Sequence, residues 1–208
     1  MIDLTLISIF IPTFFLVSAT PGMCMTLALS LGMSIGVKRT MPMMWGELIG
    51  VGLVAVLAVV GVASVMLNYP TLFNVFKWAG GLFLVYLGIQ MWRKQTNLSL
   101  QSKESHLSTT SSLKLASHGF ITAIANPKGW AFTMALLPPF INSELPLPPQ
   151  LAVLVLIMLL CEFICLMLYA SGGRWLRELL KNSSNVKWVN RIAGTLMVVV
   201  GVWLALGQ

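Results

Sequence analysis

The sequence predicts an all-α, polytopic membrane protein of six transmembrane helices arranged as two inverted three-helix repeats. Three observations carry that expectation. Hydrophobic residues make up 57% of the chain and charged ones 9%, against roughly 25% charged in a soluble domain. There is too little polar surface to cover a water-soluble globule. Six apolar stretches follow one another, at about 4–31, 41–66, 71–92, 115–137, 148–171 and 188–206, each near or above the ~20 residues needed to cross the hydrocarbon core. The second half also echoes the first. Aligning 77–89 (KWAGGLFLVYLGI) with 191–202 (RIAGTLMVVVGV) on Gly81 and Gly194 sets Gly88 against Gly201, and a basic residue, Lys77 or Arg191, opens each run. Each half carries a proline break upstream, Thr20-Pro21-Gly22 and Asn126-Pro127-Lys128. A half therefore reads as a broken helix, a linking helix and a glycine-bearing helix. Three spans is an odd number, so the second half enters the membrane from the opposite side, as in many secondary transporters. The competing reading is that glycine-bearing membrane helices resemble one another by composition. The halves are drawn as 1–94 and 114–208, joined by a linker at 95–113, in one membrane domain.

The first stretch has only Asp3 before it and no further charge until Lys38. It lacks the basic start of a signal peptide and is far too long for its apolar region, so it reads as a retained span. It also exceeds one simple helix, which a break at Pro21-Gly22 would absorb. In the second stretch Gly46 and Gly50 make a small-residue step suited to close helix packing, or less readily to lining a conduit. The third opens at Lys77, placed to snorkel to the interface, and Trp78 and Trp92 sit at its ends as an aromatic belt would. The linker, rich in Ser, Thr, Gln and Asn, reads as flexible. The fourth stretch holds the second break. The fifth carries Glu162, Cys165 and Tyr169 on one helical face by their spacing. Cys24, Cys161 and Cys165 all fall in apolar spans. With no histidine near them they read as small packing residues rather than a disulfide framework or a metal site.

The net charge of +7 is unevenly placed. Lys38 and Arg39 follow the first span; Arg93, Lys94, Lys103 and Lys114 lie between the third and fourth; Arg174, Arg177, Lys181, Lys187 and Arg191 lie between the fifth and sixth. In a six-span chain these loops share one face, and the Pro-rich loop with Glu144 takes the other. That is the positive-inside pattern, with both termini outside. It argues against nucleic acid as a partner.

Inside hydrocarbon a proline break strands backbone groups, and such breaks persist only when buried in protein or lining a cavity. The freed groups and half-helix dipoles can then bind a solute. The alternative is a plain kink. The candidate substrate and ion pathway is Thr20, Pro21, Gly22, Glu47, Gly50, Asn126, Pro127, Lys128 and Glu162. Replacing either proline with alanine is expected to abolish export. A charge at the bilayer centre costs about 2.5–3.5 kcal/mol on insertion scales, so intramembrane charges tend to face a cavity, a partner or a proton path. At ~1.5 Å per residue, Glu47 and Glu162 fall roughly 10 Å from the cytoplasmic edge and Lys128 in the outer half. Glu162, the deeper of the two, is the stronger candidate for a proton carrier, the alternative being a protonated or paired structural acid. Glu47 either joins it or snorkels toward water. No histidine lies mid-span and no aspartate inside a span, so no catalytic group, metal or cofactor is expected.

With these motifs in place, the chain resembles the lysine-exporter/threonine–homoserine-exporter (LysE/RhtB) family of bacterial amino-acid efflux proteins. The residues behind this are Thr20-Pro21-Gly22, Gly32 and Gly36 before Lys38-Arg39, and Gly46 with Gly50. Next come Tyr69-Pro70, Phe73, Lys77-Trp78-Ala79-Gly80 and Tyr86-Leu87-Gly88, then Asn126-Pro127-Lys128 and Leu137-Pro138 with Phe140. The resemblance implies a multi-pass protein of the bacterial cytoplasmic (inner) membrane. It would export amino acids or related small metabolites against a gradient, with H+ as coupling ion, lipid around it and a homo-oligomer left open. Two departures bear on the substrate. The family's Pro-Gly-Pro followed by a polar residue is here Pro21-Gly22-Met23-Cys24, and Val51 stands where many relatives carry an acid, with Glu47 one turn earlier. The alternatives are a structural or assembly protein that does not transport, and an intramembrane enzyme.

Overall fold

A computed structural model describes residues 3–93, 111–142, 144–181 and 183–206. Most of the expected linker, with Lys103 and His106, lies outside the described residues, as does the side chain of Lys77. All regular structure among the described residues is helical.

Helix α1 (Leu4–Ala19) begins at Asp3, whose carboxylate accepts from the backbone N–H of Thr5 and Leu6. It stops at Thr20, held extended (φ −66°, ψ 127°). The residue before a proline is driven out of the helical region, and Pro21 has no N–H with which to continue the ladder. Helix α2 (Met23–Ile35) resumes after Gly22 at 61° to α1. Gly36, at φ 79°, makes the turn that an L side chain disfavours, and α3 (Val37–Asn68) follows. Helix α4 (Pro70–Arg93) starts on a proline, whose missing N–H costs nothing at the first position. The fourth stretch forms two helices, α5 (Ser112–Ile124) and α6 (Pro127–Leu136), parted at Ala125-Asn126. After a short 3-10 turn (Pro138–Phe140), α7 (Leu147–Lys181) runs to a kink at Gly173, and α8 (Ser183–Leu206) completes the described chain. The first and fourth apolar stretches are thus both broken, and at their prolines.

Among the described residues, the segments Val37–Gly61 and Leu147–Gly173 are each long and apolar enough to cross a membrane, and the α1–α2 pair, bent by 61°, makes a third if it forms one broken span rather than a re-entrant loop. Many large apolar side chains face outward. Leu57, Leu82, Ile121, Leu160 and Val199 are all more than half exposed, which suits a lipid-facing exterior and would be a liability in water.

Small residues set the closest packing. A Cβ on Gly88 would lie 2.5 Å from the Gly194 carbonyl oxygen, and one on Gly201 would lie 2.6 Å from that of Gly81. Helices α4 and α8 therefore run antiparallel along a glycine seam. Helix α3 lies on α5 with Gly46 against the Ala116 backbone and Gly119 against the backbone of Met43. Helix α2 meets α7 with Gly32 against the Ala170 backbone. Two apolar clusters result. One gathers Phe10 and Phe14 of α1 with Phe140, Leu137 and Met158. The other gathers Met25 and Leu29 of α2 with Met43, Met44 and Leu166. The α1–α2 break falls between them.

Candidate functional site

The site is built around the end of α1. A helix terminus leaves its last carbonyls without intrahelical partners. Thr20 closes the last turn, its backbone N–H and its Oγ1 (2.8 Å) both donating to the Leu16 carbonyl. Tyr169 of α7 donates its hydroxyl to the Ala19 carbonyl at 2.8 Å. Lys128 of α6 reaches across from the second break, and its Nζ donates to the carbonyls of Val17 (2.8 Å) and Thr20 (2.9 Å). A cation at a helix C-terminus is favoured by the dipole. The same ammonium sits 5.7 Å from the Phe132 ring centroid, within cation–π reach. The two breaks are therefore locked to one another.

Between them lies a cavity of about 50 Å³, with Ser18, Thr20, Gly22, Asn126, Lys128 and Glu162 in its wall. At ~10–15 Å³ per water that is room for a few water molecules. Its apolar wall includes Phe14, Val51, Val54 and Phe132. Glu162 neighbours Lys128 and also Glu47. Glu47 is fully buried beside Glu162 and Cys24. Ser18 is likewise buried, with its hydroxyl beside Glu162.

The structure thus brings Thr20, Gly22, Glu47, Asn126, Lys128 and Glu162 together. Glu47 does not snorkel to water. Lys128 reaches the end of α1, where its Nζ meets the Val17 carbonyl and Glu162 is its neighbour. Pro21 and Pro127 shape the breaks without lining the cavity, and Gly50 packs on α5, where a Cβ would meet Ala123 at 2.7 Å, while Val51 beside it faces the cavity. Sequence reasoning missed Ser18, Phe14 and Phe132. A serine or an aromatic in an apolar run carries no signal of which way it points. Tyr169 was legible only as part of a polar stripe with Glu162.

Residues 15–208 match the family model described as LysE type translocator. The chain belongs to the LysE-type translocator family. It is 27% identical over 190 residues to the homoserine/homoserine lactone efflux protein of Salmonella typhimurium, covering 91% of each chain. It is 26% identical over 195 residues to the leucine efflux protein of an Enterobacter species, covering 92% of this chain and 90% of that one. A third relative, the uncharacterized membrane protein YrhP of Bacillus subtilis, is 24% identical over 199 residues. No solved structure matches. Membership makes the chain a membrane translocator with bacterial relatives and decides against an intramembrane enzyme.

Proposed function

We propose that this LysE-type translocator exports amino acids or related small metabolites across the bacterial cytoplasmic membrane in exchange for protons. The observation that carries this is the buried set of two carboxyls, Glu47 and Glu162, and one ammonium, Lys128, at the paired breaks. Ionising both acids would leave one uncompensated negative charge in a low-dielectric site, which is strongly disfavoured. A proton can balance it. So can the ammonium of an amino acid. Substrate and proton then compete for one place, and each departure of substrate is matched by a proton's arrival. The relatives named for homoserine and leucine efflux support a substrate of this kind.

Six spans in two inverted repeats supply the alternation. Under the glycine alignment, Gly88 maps to Gly201 and Gly194 to Gly81. The Gly88–Gly194 contact therefore maps onto the Gly201–Gly81 contact, the other tight point of the same seam. Packing of α3 on α5 is answered by packing of α7 on α1 and α2. A two-fold axis lying in the membrane plane produces both features.

The test is flux in proteoliposomes with and without an imposed pH gradient. The wild type accumulates substrate when the gradient is applied. Glu162→Gln is expected to retain downhill exchange and lose the response to the gradient. A Glu162→Gln protein that responds as the wild type does would remove Glu162 from the coupling.

A further inference from the structure

The seam between α4 and α8 has a groove along one side. Beside the Gly88–Gly194 contact, Ile89, Trp92 and Arg93 of α4 and Thr195, Val198 and Val199 of α8 line an open space of about 330 Å³. Its two walls change character in the same direction. On α8, Lys187, Arg191, Thr195 and Val199 recur every four residues, so they stand on one stripe. On α4, Arg93 and Ile89 have the same spacing. Each wall therefore runs from a cation near the helix end to an aliphatic side chain farther in.

Trp92 divides the two zones. Its Nε1 donates to the Arg191 carbonyl and to the Thr195 hydroxyl, both at 3.1 Å. The Arg191 guanidinium lies 5.7 Å from the ring centroid, within cation–π reach. The ring is thus fixed across the seam, between charge and hydrocarbon, where a tryptophan suits the level of lipid headgroups. No carboxylate among the described residues answers the two guanidinium groups. Asp3 and Glu144 stand at Asn142, and Glu47 and Glu162 stand at the breaks.

We propose that this groove holds one anionic glycerophospholipid, with its phosphate between Arg93 and Arg191 and an acyl chain along Ile89, Val198 and Val199. Charge decides the class of occupant. A plain apolar face takes any lipid, whereas basic pockets between membrane helices select anionic headgroups, and guanidinium groups match phosphate oxygens bidentately. Shape decides that the lipid is retained, since a chain in the groove packs on two helices where a chain on a flat face packs on one. A lipid so placed bridges α4 and α8 and stabilises the folded pair. Such a site needs only the membrane placement of the chain, and it stands or falls apart from transport.

The experiment is native mass spectrometry of the full chain in detergent, titrated with phosphatidylglycerol and, separately, with phosphatidylcholine of the same acyl chains. The wild type is expected to retain one phosphatidylglycerol at concentrations where it sheds phosphatidylcholine. Arg93→Gln combined with Arg191→Gln is expected to weaken phosphatidylglycerol at least about tenfold, since attraction to an anionic headgroup accumulates with each basic residue. Val199→Trp fills the apolar floor, keeps both arginines and should weaken binding as well. Lys38→Gln combined with Arg39→Gln removes the same charge from another loop and should leave binding unchanged. Phosphatidylglycerol should also raise the thermal-unfolding midpoint of the wild type and leave that of the two groove variants unmoved. Lipid-free midpoints close to the wild-type value show that these variants are folded. Equal retention of the two lipids, undiminished binding in Val199→Trp, or an equal loss in the Lys38–Arg39 variant overturns the proposal. So does displacement by glycerol phosphate, which would mark a site for a free anion, or a dimer that excludes lipid, which would mark the groove as an interface between two copies.

Discussion

At the residue scale, the site is a matter of which side chain completes which stranded backbone group. Lys128 and Tyr169 are far from α1 in sequence, yet between them they hold three of its terminal carbonyls, those of Val17, Ala19 and Thr20. Their roles separate by charge. Tyr169→Phe keeps the ring and removes one donor, leaving the Ala19 carbonyl unpaired. An unsatisfied buried group costs about 1–3 kcal/mol, so a thermal-unfolding midpoint measured in detergent should drop while substrate exchange persists. Loss of exchange with an unchanged midpoint would place Tyr169 in the transport chemistry instead. The sequence shows that Glu162, Cys165 and Tyr169 share a face, since helical spacing fixes that. Whether Glu47 is buried or reaches water depends on what covers α3, and no spacing rule supplies that. Ser18 is invisible for a similar reason. Thr13 bonds back to the Ile9 carbonyl, as a helical threonine commonly does, while Ser18 faces Glu162, and nothing in the letters distinguishes the two.

At the element scale, the two prolines read alike in sequence and do different work. Pro21 stands where a helical residue would donate to the carbonyl four positions back, which is Val17. That carbonyl is now bound by Lys128. Pro21→Ala restores an N–H that competes for it, lets α1 run on toward α2 and displaces the ammonium. Pro127 is the first residue of α6, where no intrahelical donor is needed, and Asn126 already caps that start. The expectation of equal effects therefore gives way to a graded one. Pro21→Ala should abolish export with membrane insertion intact, and Pro127→Ala should reduce it only a few-fold, in keeping with the mild cost of leaving the first helical position. Export assays on cells with matched protein levels decide this, and equal loss in both variants would contradict the asymmetry. The breaks themselves were legible because proline acts locally. The partners of Gly46, Gly50 and Gly88 were not, because a small residue announces close approach without naming what approaches.

At the scale of the whole molecule, the orientation in the membrane follows from which chain ends are tied together. Asp3 Oδ2 accepts from Asn142 Nδ2 at 3.1 Å, so the start of α1 and the loop between the fourth and fifth apolar stretches lie at one end. Trp92 Nε1 donates to the Arg191 carbonyl at 3.1 Å, so the ends of the chain segments carrying Arg93 and Arg191 lie together. Six spans require both pairings, since the first joins two segments of one face and the second two segments of the other. On the proposed six-span reading, the basic residues of the second face, with Lys38 and Arg39, would put it in the cytoplasm and the Asp3–Asn142 end outside. Reporter tags at the N-terminus, at the C-terminus and in the loop at Glu144 should all register as external, and a tag beside Lys38 as cytoplasmic. An odd span count would set the two termini on opposite sides. Termini on opposite sides would therefore refute the paired inverted halves and the two-fold relation proposed from the glycine seam, whereas both termini in the cytoplasm would overturn the orientation alone.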